Sequence, residues 1–319
     1  MQEISVYLNS QAGPDGMDFW QKEIGRRLFR SQLNFRRPDS KEELLELLCE
    51  DIDKRVDTIV SVGGDGTMHT LIQELAGKEI ALLVVPGGTA NDLANELGEI
   101  KKIEKVISWV RARETKKIDL ISINGHYMAT NGGLGLGGHV AEKINNVRKK
   151  VPLFKSLMKL TGKRIYPFFA ATEILDPNLP YYKLRIKSDQ FNGVIDTPGL
   201  LVNNQSRLGG SFQVAPHTVN NDGLFNVTAF THKNRARLIQ CLWAMGQGQE
   251  LPQDDNIITF ETDSLEVELL NGDDLSFFGD GEVVSKSNHW EIKVLPDSLL
   301  VYAQGEKNIV DMVNEVSLS

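Results

Sequence analysis

Hydrophobic and polar positions along the first third of the chain alternate as strands separated by amphipathic helices do. Ile4–Asn9 reads as a strand and Met17–Arg30 as a helix. Gln32–Arg37 predicts a second strand, and Ser40–Glu50 a helix whose apolar face carries Leu44, Leu45, Leu47 and Leu48. Thr58–Val62 and Ala81–Val85 are short unbroken aliphatic runs, the pattern of parallel strands buried on both faces. Each ends in a glycine-rich turn that leads into a helical segment, and helical spacing resumes over Ile103–Ala112. This order predicts a doubly wound, Rossmann-like α/β domain.

From about Lys116 the texture changes. Short alternating runs (Lys183–Lys187, Val194–Asp196, Leu200–Asn203, Phe225–Phe230, Ser264–Leu270, Trp290–Val294) are separated by Gly, Pro, Asn and Asp. They predict an antiparallel β-sandwich interrupted by one helix, Arg235–Met245. The boundary falls near Gly125, giving domains 1–124 and 125–319, with the C-terminal tail expected to return to the first domain. No repeats or low-complexity tracts occur.

The 319 residues suffice for two modest cores, and 41% hydrophobic with 24% charged residues is ordinary for a globular chain. No run of eighteen apolar residues predicts a membrane span, and the N-terminus lacks a signal-peptide pattern, so a cytoplasmic address is expected. Cys49 and Cys241 read as buried free thiols. A net charge of −8 argues against non-specific nucleic-acid binding. It hides a local reversal: eight basic residues and no acidic one lie between Lys143 and Arg164. Apolar residues are interleaved with them through Phe169. Such a stretch suits an anionic membrane surface, or equally a solvated helix whose apolar stripe is core.

In an open parallel sheet, ligands bind beyond the carboxyl ends of the strands, where glycine turns enter helix N-termini. Two turns here have that form. Gly63-Gly64-Asp65-Gly66-Thr67 offers backbone N–H groups to a phosphate, and its Asp65 suits a cation held beside that phosphate. Gly87-Gly88-Thr89-Ala90-Asn91-Asp92 repeats the logic. Either turn alone reads as a simple connection; both together, each with an aspartate, favour a phosphate site. No Walker sequence is present, and Gly133–Gly138, although a literal G-x-G-x-x-G, lacks the acidic ribose partner of a dinucleotide site. On the residues alone, Asp280-Gly281-Glu282 and Asp222-Gly223 are turn pairs, and Asp273-Asp274 a solvated turn. His69 reads as a surface or packing residue, and the other histidines have no metal-ligand spacing.

The ordered set of these motifs resembles the diacylglycerol-kinase-like lipid kinases, especially their bacterial soluble branch, with sphingosine and ceramide kinases more distant. The resemblance spans nearly the whole chain. It rests on Gly63–Thr67, Gly88-Thr89-Ala90-Asn91-Asp92, the Asp119 segment IDLISINGHYMATNGGLGLGG, the segment NNQSRLGGSFQVAPHTVNNDGLF, and Asp280-Gly281-Glu282. It departs from the family at His69-Thr70, where an Asn-Glu pair is usual, and at Asn9-Ser10, where Asn-Pro is usual. A nucleotide-contacting threonine expected near Arg36–Ser40 also has no counterpart.

The resemblance implies an ATP site between the two domains, formed by Gly63, Gly64, Asp65, Gly66, Thr67, Met68, His69 and Thr70 together with Gly88, Thr89 and Asn91. It implies a magnesium network through Asp65, Asp92 and Asp119. Glu282 is the implied general base, with Asp280 beside it and Asp65 at the phosphates. Asp222 and the carbonyls of Val219 and Leu224 are implied ligands of a second, structural magnesium. The expected reaction moves the γ-phosphoryl group of ATP to a lipid hydroxyl, such as that of diacylglycerol, giving phosphatidic acid. The expected partners are a membrane lipid, an anionic membrane met through residues 143–169, and a second copy in a homodimer. Two other readings compete: an NAD kinase-like enzyme with a soluble substrate, and a non-catalytic nucleotide- or lipid-binding regulator.

Overall fold

The computed structural model describes residues 2–9, 16–86, 92–98, 103–150, 165–208, 212–252 and 254–304. Four parallel strands open the chain in the order β2-β1-β3-β4: β1 (Glu3–Leu8), β2 (Gln32–Arg36), β3 (Thr58–Gly63) and β4 (Ala81–Pro86). Alternation along them feeds two cores. Ile4, Val6, Val60 and Val62 pack with Ile24 of α1 (Gly16–Arg27) and with Ile107 and Trp109 of α5 (Ile103–Ala112). Tyr7, Ile59 and Leu82 face the other way, onto α2 (Lys41–Asp53), α3 (Asp65–Leu75) and α4 (Asp92–Leu97). Ser40 caps α2, its hydroxyl accepting from Glu43 N. Leu44, Leu48 and Asp51 form the buried face of α2, which turns Cys49 outward; Cys49 is exposed, contrary to its expected burial, whereas Cys241 is buried.

The second half contains β5 (Thr115–Ile123), β6 (His126–Met128), β7 (Asn131–Gly135), β8 (Tyr182–Lys187), β9 (Asn192–Thr197), β10 (Gly199–Asn203), β11 (Arg207–Leu208), β12 (Phe212–Gln213) and β13 (Phe225–Phe230). It ends with β14 (Ile257–Thr262), β15 (Ser264–Leu269), β16 (Leu275–Gly279), β17 (Glu282–Ser287) and β18 (His289–Tyr302). One antiparallel sheet runs β14-β13-β10-β7-β16-β17. It stacks on a second layer of β5, β8, β15 and β18 through a core that includes Leu134, Leu200, Phe277, Val267 and Trp290. This is an α/β unit followed by a β-sandwich.

Two features go beyond the periodicity. The run predicted as Trp290–Val294 is a 14-residue strand. Its first half pairs with β15, and near its end Val301 pairs with Leu82 of β4, so one ten-stranded sheet crosses both halves. Among the described residues the sandwich also carries three helices rather than one: α6 (Leu136–Lys150), α7 (Ile165–Leu175) and α8 (Arg235–Gly246). They cover the outer face of the six-stranded sheet through clusters around Val140, Ile144 and Ala170, and around Ile174, Phe230 and Cys241.

Candidate active site

The site is built where α3 begins. Gly64 stands at the N-cap of α3 and contributes no side-chain cap, so no cap side chain of its own covers this helix N-terminus, the kind of end that suits an anion. Against this turn leans the β16–β17 hairpin. Its two-residue loop has Asp280 at φ 54° and Gly281 at φ 82°, the left-handed pair that a tight hairpin requires. The first residue after the loop is Glu282. A β-carbon on Gly66 would stand 2.9 Å from Oε1 of Glu282, so glycine at 66 is what lets the carboxylate reach the helix. Residues 63–67 and 282, far apart in sequence, thus share one surface.

Asp280 fixes the hairpin. Its Oδ1 accepts from the Thr130 hydroxyl (2.7 Å) and from the N–H groups of Thr130 (2.8 Å) and Ala129 (3.2 Å). Its Oδ2 lies 3.0 Å from Nδ1 of His69. The carboxylate is buried and both its oxygens are engaged, so Asp280 anchors the loop that leads into Glu282. His69, read from sequence as a surface or packing residue, is a partner in that support. Nothing in the local pattern paired residues 211 positions apart.

Two clefts meet at this junction. A polar one is lined by Tyr7, Asn9, Asp39, Ser40, Lys41, Gly66, Thr67, His69, Thr70 and Glu282, among others. Inside it the Thr67 hydroxyl accepts from Asn9 Nδ2 at 2.6 Å, and the Thr70 hydroxyl donates to the Gly66 carbonyl at 3.0 Å. The Tyr7 hydroxyl donates to Asp51 at 2.7 Å, and Arg36 pairs with the same carboxylate at 2.5 Å. Burial and the Asp51 bond push the Tyr7 pKa up. Burial acts to raise the Asp51 carboxyl too, but the bonds from Arg36 and Tyr7 overcome it and hold it below its ordinary value.

The other cleft is an apolar cavity of about 160 Å³. Asp65, Asp92, Asp280, Thr130 and Asn131 are its polar lining; Leu136, Val140, Ala170, Ile174, Leu201, Phe230, Leu238, Cys241 and Met245 are among its apolar walls. Burial raises the Cys241 thiol pKa. Met68 lines this cavity and not the polar cleft. The Gly133–Gly138 run serves packing: a β-carbon on Gly133 would meet the Leu200 carbonyl oxygen at 2.0 Å.

The remaining candidates divide. Asp65 and Asp92 both line the cavity, and their carboxylates are hard oxygen donors of the kind magnesium accepts. Asp119 lines neither cleft. Its Oδ2 accepts from Gly223 N (2.7 Å) and its Oδ1 from Asp297 N (2.9 Å), which ties β5 to the 219–224 turn. In that turn Asp222 Oδ1 accepts from Leu224 N at 3.0 Å, and Val219 is exposed. Among the described residues no three His, Cys, Asp or Glu side chains form a metal-holding group. Gly88, Thr89 and Asn91 lie outside the described residues, as does most of the basic stretch.

Residues 3–123 match the family model of the diacylglycerol kinase catalytic domain, and residues 143–303 match the YegS C-terminal NAD kinase β-sandwich-like domain. A diacylglycerol kinase of Bacillus subtilis is 26% identical over 76% of this chain and 79% of its own length. The Salmonella gallinarum protein named "Probable lipid kinase YegS" is 28% identical over 76% of this chain and 77% of its own. A crystal structure described as a diacylglycerol kinase from Bacillus anthracis strain Sterne aligns over 95% of this chain and 97% of that one. Its TM-score is 0.70 at 18% identity, a likeness of fold.

Proposed function

Because this chain belongs to the diacylglycerol-kinase-like lipid kinases, we propose that it transfers the γ-phosphoryl group of ATP to the hydroxyl of a diacylglycerol-like lipid. One observation carries this reading. A carboxylate, Glu282, abuts the anion-binding turn of α3 where a polar cleft and an apolar cavity meet. A nucleotide suits the polar side and an acyl chain the apolar side, which brings the lipid hydroxyl and the terminal phosphate to the same turn.

Phosphoryl transfer needs positioning and charge stabilisation more than covalent chemistry. The N–H groups at the start of α3 hold the phosphates. Glu282 accepts the proton of the lipid hydroxyl, and Asp280 with His69 keeps it aimed. Asp65 and Asp92 are the residues that would hold magnesium, with nucleotide oxygens completing its shell, since magnesium is commonly bound by one or two carboxylates plus phosphates. When bound, that ion would neutralise charge developing on the phosphoryl oxygens. A second ion, of structural role, fits the oxygen donors of Asp222 and the Val219 and Leu224 carbonyls, on the turn that Asp119 anchors.

The test is incubation with labelled ATP, magnesium and a panel of diacylglycerol, phosphatidylglycerol, sphingoid base, ceramide and NAD. Wild type should label a lipid. Glu282→Ala should bind ATP yet lose transfer by about 10²–10⁴-fold, and Asp65→Ala should lose transfer as well. Labelling of NAD alone, or full activity in the Glu282 variant, refutes the assignment.

A further inference from the structure

Helix α7 has apolar side chains on both its faces. Ala170 and Ile174 look inward onto the cavity, while Phe168 and Leu175 are 64% and 65% exposed. The polar groups near its end are already engaged: the Thr172 hydroxyl donates to the Phe169 carbonyl, and Glu173 pairs with Lys143 of α6. Helix α8 turns Leu238, Cys241, Leu242 and Met245 inward, and its outward face carries Trp243, at 68% exposure, beside Arg237 and Gln240. Arg235, the first residue of α8, donates to the carbonyls of Ile174 and Pro177, so the two helices run antiparallel from that tie. At 1.5 Å per residue Trp243 lies about 12 Å along α8 and Phe168 about 9 Å back along α7 from that tie.

A surface helix with an apolar outer face is unstable against water unless something covers it. We infer that the outer face of α7 and α8, centred on Phe168, Leu175 and Trp243, docks on an anionic lipid bilayer. Charge and continuity select this occupant. The protein as a whole is acidic, yet the chain enters α7 through the one stretch with eight basic residues and no acidic one. The same two helices wall the cavity on their inner side, so a lipid leaving the bilayer at this face has the thickness of one helix layer to cross. Tryptophan and phenylalanine are also the side chains that settle at a membrane–water boundary.

The inference rests on the lipid-kinase reading, and its test separates the two. Full-length wild type, Trp243→Glu, Phe168→Glu and Trp243→Phe are compared for sedimentation with mixed phosphatidylcholine–phosphatidylglycerol vesicles. They are also compared for transfer to vesicle-embedded dioleoylglycerol and to water-dispersed dioctanoylglycerol. Each glutamate variant should lose vesicle binding by about tenfold or more. Activity on the embedded substrate should fall in parallel, while activity on the short-chain substrate stays. Trp243→Phe should keep binding. None of these side chains lines either cleft, and matched thermal melts exclude misfolding as the cause. Unchanged vesicle binding in the glutamate variants overturns the inference, as does a dimer that they disrupt while vesicle binding persists. If wild type phosphorylates neither lipid, the kinase reading fails, and the sedimentation result still decides the docking face.

Discussion

The polar cleft and the apolar cavity lie on either side of the α3 turn and the β16–β17 corner without sharing a lining residue, and they are made in opposite ways. The cleft takes its chemistry from short contiguous segments, residues 38–41 and 66–70, with Tyr7, Asn9 and the 282–283 corner closing it. The cavity gathers single apolar residues from α3, α6, α7, α8 and four strands across more than a hundred positions. Phosphate recognition needs backbone amides in a fixed local turn, which a motif can encode. Acyl-chain recognition needs only shape and apolarity, which many scattered side chains supply together.

Four changes break or sharpen this contrast. The largest effect is expected at the turn beside Glu282. Gly66→Ala would place a methyl group against Oε1 of Glu282, whose flexible end must swing aside, and transfer should fall by up to about 10²-fold. Rates with saturating lipid, read beside ATP affinity, check this. Next, Ala170→Phe should obstruct the cavity alone. KM for long-chain lipid should rise about tenfold while KM for ATP holds, because overpacking a filled site costs about 1–3 kcal/mol.

His69→Ala removes a donor from buried Asp280 and should cost about 1–3 kcal/mol of stability. His69→Asn, which keeps a donor and restores the family residue, should lose less by denaturant titration and retain more transfer. The smallest effect concerns the cleft floor. Asp51 is held below its ordinary pKa in the folded state, so its contribution to stability is complete above about pH 4 and fades as pH falls through the folded value. Urea midpoints should be flat near neutrality and drop in acid, and Asp51→Asn should remove part of that drop.

The same contrast explains what the sequence disclosed. Parallel strands with buried faces left unbroken aliphatic runs, so β1, β3 and β4 were found within a residue or two of their ends. The glycine turn was legible as a motif, whereas Glu282 stood out only through the family resemblance, since residues 280–282 by themselves read as a turn. The cavity was not, since Leu201, Phe230 and Met245 look like any core residue until the helices that carry the opposite wall are in place. Two of those helices were read only as part of the basic, apolar-interleaved stretch through Phe169, with no bounds of their own, and α7 is so uniformly apolar that no 3.6-residue stripe stands out. The His69–Asp280 pair and the split of Asp119 from Asp65 depend on contacts between distant segments, which periodicity does not record.

Strand β18 carries a mechanical consequence. It is stitched to β15 at one end and to β4 at the other, and β5 runs beside it across the Leu295–Leu299 bulge, where Asp119 grips the backbone of Asp297. A clamshell motion would have to shear two hydrogen-bonded strands at once. Relative movement of the two halves therefore has to break that pairing, and while it holds, the turn at Gly66 and the Glu282 corner keep their spacing.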